Sequence, residues 1–136
     1  MVSHTIQKHQ PGERQLAIRI LAMPADANAF GDIFGGWLMS QVDIAGSTVA
    51  CQVAQGRVVT VAVNDFQFIK PVYIGDLVSC YSEVTRIGHT SINVETEVFV
   101  EREQDPASMH RVAEATVTYV AIDKEGKPRE VPQTQD

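Results

Sequence analysis

The stretch "NAFGDIFGGWLMSQVDIAG", Asn28 to Gly46, carries an acidic residue, Asp43, inside an otherwise uncharged apolar run. From Trp37 to Val53 no other residue is charged, whereas a helix lying on a protein surface carries several charges. By type alone an aspartate belongs at the solvent boundary. In an uncharged helix it reads instead as a carboxylate placed in a buried setting. Burial raises a carboxyl's pKa and suits it to act as a general base or nucleophile. Gly35 and Gly36 stand at the mouth of the same run. Read as punctuation, they loosen the approach to a helix. Read as chemistry, they expose the free N–H groups of a first helical turn to a ligand oxygen, where the helix dipole favours developing negative charge. Asn28, in the loop before, is a turn former by type; its amide is also able to hold a water or a carbonyl.

Spacing limits how these groups cooperate. The step from Gly36 to Asp43 is a rise of ~10 Å along a helix. One carbonyl cannot touch both within one chain, so a site that uses both is shared between two protomers. The chain has no G-x-S-x-G elbow, no phosphate-binding loop and no dinucleotide fingerprint. His4, His9, His89 and His110 form no metal-spaced pair, and none lies in the helix or its preceding loop. The chemistry therefore falls to carboxylate, amide and backbone. Arg57, Lys70 and Arg86 are each solvated surface charges by default, and each is also placed to meet a phosphorylated ligand. The turn Gly88-His89-Thr90-Ser91 offers N–H and hydroxyl groups of the kind that cradle phosphate.

Elements must position these residues. "RQLAIRILAMP" reads as a strand ended by Pro24, and residues 25–36, rich in Ala, Asn, Asp and Gly, read as a loop. Trp37 to Gln55 is the one long helix, with Leu38, Val42, Ala45, Val49 and Val53 on one apolar stripe and Gly56 as its stop. Four strands follow: "RVVTVAVNDFQFIKPV", "DLVSCYSEVTRIG", "TSINVETEVFVERE" and "HRVAEATVTYVAID". The third alternates cleanly, with Ile92, Val94, Thr96, Val98 and Val100 facing one way. One helix cannot cover both faces of a five-stranded sheet. The simplest packing is an α+β domain, a curved antiparallel sheet wrapped around the helix. Its edge strands stay unpaired unless a second copy continues the sheet, which predicts a dimer.

Composition sets the outer bounds. The 136 residues suit one domain, read as 14–132 between a loose segment 1–13 and a tail 133–136. The net charge of −6 argues against a nucleic-acid or anionic-membrane surface. No stretch has the length of a membrane span. Cys51 and Cys80 form no zinc or redox pair and read as two buried thiols in a reducing compartment, the cytoplasm.

The blocks "LAMPADANAFGDIFGGWLMSQVDIAG", "GRVVTVAV", "FIKPVYIGDLV" and "VAIDKEGKPRE" together resemble the YciA-type acyl-CoA thioesterases, over roughly Gln15 to Pro132. The resemblance implies the hotdog fold and hydrolysis of acyl-CoA to CoA and a fatty acid, with no cofactor or metal beyond CoA as part of the substrate. It implies Asp43 as the catalytic aspartate, Asn28 as the loop asparagine, and Gly35 and Gly36 as the glycines that bring the helix N-terminus to the thioester carbonyl. It implies a CoA-binding region at Arg57, Val59, Thr60, Gly88, Thr90 and Ser91, and a hexamer built as a trimer of dimers with sites between subunits. Phe30 departs from the family's "NANGDIFGG", where a small polar residue is usual, and bears on acyl-chain preference. Two other readings compete: a hotdog hydratase or dehydratase, which normally needs a histidine, and a noncatalytic acyl-CoA binding protein.

Overall fold

Strict alternation of apolar and polar residues builds the centre of the sheet. In the computed structural model, which describes residues 14–133, Ile92, Val94, Thr96, Val98 and Val100 are all buried on one face of strand β4, Ser91–Glu101. It pairs antiparallel with β3, Leu77–Ile87, on one side and β5, Met109–Ala121, on the other. β1, Gln15–Leu21, pairs with β3, and β2, Val58–Phe68, pairs with β5. The order is β1-β3-β4-β5-β2, so β1 and β2 are the edges. The loose segment 1–13 and most of the expected tail lie outside the described residues.

Among the described residues the single long helix, α1, spans Gly35–Ala54 and packs against all five strands, as the hotdog arrangement requires. Its buried residues are Leu38, Gln41, Val42, Ala45, Gly46, Val49, Ala50 and Ala54. Val53, placed on the stripe by sequence, is half-buried. So many small residues let the helix backbone come close to the valine-rich inner face of the sheet, where interdigitating side chains reach crystal-like density.

The ends of α1 differ from the sequence reading. The helix begins two residues earlier than Trp37, so both glycines lie in its first turn. Gly56 is not the residue that reverses the chain. Gln55 takes the left-handed conformation, with φ 54°, and the Gly56 amide turns back to the Cys51 carbonyl. Arg129, from the segment after β5, completes this end by donating to Ala54 O at 2.7 Å and to Ile122 O at 3.2 Å. Cys80 is buried as expected, but Cys51 is exposed. It follows Asp43 and Ser47 at steps of four, which puts it on the helix flank beside the apolar stripe rather than on it.

The loop before α1 contains one 3-10 turn, Pro24–Asp26, and "QDPASM" lies in two more, Arg102–Gln104 and Pro106–Ser108. The buried Asp76 carboxylate receives the Arg102 Nε at 3.1 Å, and Arg102 Nη2 donates to Pro71 O. This pair ties the segment between β2 and β3 to the end of β4, and Ile33 N–H, donating to Val72 O at 2.8 Å, holds the same segment beside the start of α1. Among the described residues no helix is long and apolar enough to cross a membrane.

Candidate active site

Asp43 sits midway along α1, half-buried on the flank that faces β2. Two hydroxyls hold it. Thr60 Oγ1 donates to the carboxylate Oδ1 at 2.6 Å, and Tyr119 Oη donates to the Asp43 main-chain carbonyl at 2.7 Å. Thr60 and Tyr119 are register partners across β2 and β5, so both face the helix from one rung of the sheet. The pairing slips immediately after Thr60, at the step to Ala62, and such a bulge re-aims side chains. The carboxylate opens into a cavity of about 190 Å³ lined also by Met39, Val42, Val63, Phe66 and Val117. The helix face around it is exposed yet uncharged, with Met39 at 39% and Ile44 at 52%. The sequence reading had Asp43 buried; within one chain it is only half so.

The N-terminus of α1 forms a second hollow. The cap residue Phe34 has no side-chain acceptor to offer, and neither Gly35 nor Gly36 N–H meets an acceptor in the described chain. Trp37 N–H, by contrast, is taken by Phe34 O at 3.1 Å. At Gly36 the space a Cβ would occupy is open, whereas a Cβ at Gly35 would stand 3.1 Å from the Phe68 ring. That ring is one wall of a cavity of about 360 Å³ that Gly35 shares with Ile33, Leu38, Lys70, Pro71 and Val72. Asp43 does not line it, and Gly35 does not line the Asp43 cavity. The two hollows are distinct, as the rise along the helix required.

Asn28 lies beside the helix start, because a bridge between Ala27 and Ile33 folds its loop back. Its Oδ1 accepts from Phe30 N at 2.9 Å and Asp32 N at 3.2 Å. The turn-former reading therefore holds for the oxygen, and it leaves the Nδ2 donors with no partner among the described residues. Phe30 projects from the same turn, 90% exposed.

The residues assigned to CoA by resemblance gather at the other end of the sheet. Val59 pairs with Val120, and Val120 with Ser91, so Arg57, Val59 and the Gly88–Ser91 turn occupy one end of three neighbouring strands. The Gly88 N–H is already taken by Ser91 O at 2.8 Å, so that amide is not available as a phosphate donor. The Thr90 carbonyl is taken by Ala121 N, and the Arg57 side chain is exposed. Thr60 follows Val59 on β2, and its hydroxyl is on Asp43.

Sequence reasoning missed Tyr119 and Gly46. A Cβ on Gly46 would overlap the Tyr119 hydroxyl, with the ring carbons 3.1 Å away. The available signal was a glycine inside a helix and a tyrosine at an inward position of β5, where its hydroxyl must find a partner. Burial, and then the nearby Asp43, push the Tyr119 hydroxyl's pKa upward, so it remains a donor.

The family model of the thioesterase superfamily matches residues 30–107. The chain is 48% identical to the acyl-CoA thioester hydrolase YciA of Escherichia coli K12, over 91% of this chain and 96% of that one. This chain belongs to the YciA-type acyl-CoA thioesterases. A solved hexameric thioesterase from Yersinia pestis superposes on this thioesterase with TM-score 0.84 at 52% identity, covering 88% of this chain and 97% of the other. The acyl-CoA hydrolase of Staphylococcus aureus, solved with butyryl coenzyme A, coenzyme A and coenzyme A disulfide, superposes with TM-score 0.80 at 28% identity, over 90% and 76%. That enzyme has also been solved as variants with an asparagine, a threonine or an aspartate replaced by alanine. Among this thioesterase's described residues no group of three His, Cys, Asp or Glu comes together to hold a metal.

Proposed function

We propose that this thioesterase hydrolyses acyl-CoA to CoA and a free fatty acid, with the reaction divided between two protomers. The observation that carries the reading is the Asp43 carboxylate, fixed by Thr60 on an uncharged, uncovered helix face, while the unpartnered amides of Gly35 and Gly36 stand at the N-terminal end of the same helix, Gly35 lining a separate hollow. In a two-fold dimer one chain's helix mouth faces the other's Asp43. The Gly36 N–H, with Gly35 beside it, receives the thioester oxygen as negative charge develops there. Asp43 of the facing protomer takes a proton from water or attacks the carbonyl itself, and Asn28 Nδ2 orients the water or the carbonyl. The C–S bond breaks and the electron pair leaves on sulfur. Thiolate is a good leaving group, which suits a site whose two hollows contain no histidine.

Arg57, Val59, Gly88, Thr90 and Ser91 are assigned to the CoA moiety, with the Arg57 guanidinium the natural phosphate partner. Thr60 moves from that group to the reacting carboxylate, and the asparagine, threonine and aspartate variants of the Staphylococcus enzyme involve the same three residue types. We take the reaction to run without a metal, as the family resemblance implies. The assembly is a hexamer like the Yersinia relative, built as a trimer of dimers as the family resemblance implies. The compartment is the cytoplasm, consistent with two unpaired thiols.

Free-thiol release measured across acyl-CoA chain lengths tests the activity. Asp43→Asn should lower kcat by about 10²- to 10⁴-fold, the range for losing a general base, with the fold retained by circular dichroism. A folded Asp43→Asn protein with near-normal turnover would sink the assignment.

A further inference from the structure

We propose that Tyr119 is a positioning residue for the hydrolysis, setting the Asp43 turn of α1 against Thr60, and that Gly46 is the clearance that lets it do so. The inference rests on the reading of Asp43 as the reacting carboxylate.

Tyr119 is fully buried, and its hydroxyl ends 2.7 Å from the Asp43 carbonyl. A carbonyl in a helix interior already has an amide four residues on as its donor. The tyrosine uses the second lone pair, so helix α1 does not need this bond to satisfy its backbone. A phenylalanine would fill the same core volume without it. The bond instead ties one specific turn of the helix to one specific rung of the sheet.

That rung is the one that carries Thr60. Because Thr60 and Tyr119 are register partners, a single cross-strand pair grips Asp43 at both ends, the main chain through Tyr119 and the carboxylate through Thr60. Rotation or sliding of α1 would strain both contacts at once. Gly46 is the complementary feature. A glycine in a helix interior is unfavourable relative to alanine, and here a side chain of any size would overlap the hydroxyl and crowd the ring. Tyr119, Gly46 and Thr60 thus form one device, and the reacting geometry depends on its fit.

Tyr119→Phe, Gly46→Ala and the double variant test this, with Asp43→Asn measured alongside as purified assemblies of matched size. Each single variant should lower kcat by about ten- to a hundredfold, the scale of a sub-ångström to 1 Å misplacement, with KM for acyl-CoA within about twofold because no substrate contact is removed. The double variant should be no worse than Tyr119→Phe alone, since without the hydroxyl a Cβ at Gly46 loses the atom it overlaps most. On an Asp43→Asn background, Tyr119→Phe should cost nothing further. Wild-type kcat in Tyr119→Phe while Asp43→Asn is inactive overturns the proposal and leaves the assignment of Asp43 standing. Normal turnover in Asp43→Asn overturns that assignment instead. If Tyr119→Phe fails to fold, the Gly46→Ala variant decides alone: a lowered melting temperature with unchanged kcat marks a purely structural contact.

Discussion

Cys80 is enclosed on β3, and desolvation pushes its thiol up to about 12 from an ordinary 9.0. The fold therefore favours the neutral thiol. The stability this contributes is fully present below pH 9.0 and is lost as pH rises toward about 12. Tyr119, also shifted upward, adds a loss of the same sign from its ordinary value of 10.0 onward. The urea midpoint should accordingly fall as pH is raised from 9 to 10. Cys80→Ala should start from a lower midpoint, because it leaves a cavity, but decline less steeply over that interval. A slope equal to wild type would mean that the thiol is not the titrating group. The same burial keeps Cys80 unreactive to alkylation in the folded protein. Cys51, on the open flank of α1, lacks that protection within one chain.

The helix treats its two ends in opposite ways. At the N-terminus Phe34 leaves the glycine amides uncapped, which costs stability and keeps donors free for a ligand. At the C-terminus Arg129 reaches across 75 residues to the Ala54 carbonyl, where a cation also suits the helix dipole. Arg129→Met should lower stability by about 1–2 kcal/mol, the scale of hydrogen bonds to a charged donor that is partly exposed, read from urea unfolding. Its kcat should be close to wild type, because the cap is at the far end of α1 from Gly35. A large fall in kcat with unchanged stability would show that the ends are coupled and overturn the division. The segment "KEGKPRE" thus acts as part of the helix, though it follows the last strand.

One chain by itself leaves an apolar edge uncovered. Edge strand β2 exposes Val59, Val61 and Val63 at 40%, 53% and 44%, beside the uncharged face of α1. An exposed apolar edge of this kind calls for a partner. A two-fold axis there would bring one protomer's Asn28 and Gly36 to the other's Asp43. Mixing Asp43→Asn with Asn28→Ala, each expected to lose most turnover alone, tests this directly. After unfolding and refolding together, half of the dimers would be mixed, and each would carry one intact site. Thiol release should then recover to about a quarter of the wild-type rate per protomer. No recovery in a mixture proven to contain hybrids would place the whole site within one chain.

Much of this was legible along the chain. The alternation in Ile92–Val100, the stripe Leu38–Val42–Ala45–Val49 and the element order are local periodicities, and each side of such a pattern is decided by residues two to four positions away. The blocks around Asp43 and the glycines likewise carried the family, and the helical rise alone separated the two hollows. What the tertiary structure decided is long-range. Thr60 meets the Asp43 carboxylate, Tyr119 meets its carbonyl 76 residues away, and Arg129 caps Ala54. No local period encodes these contacts, because they depend on the register of β2 against β5 and on how closely α1 approaches the sheet. For the same reason the Thr60 hydrogen bond to the carboxylate and the Tyr119 hydroxyl above Gly46 were not legible along the chain.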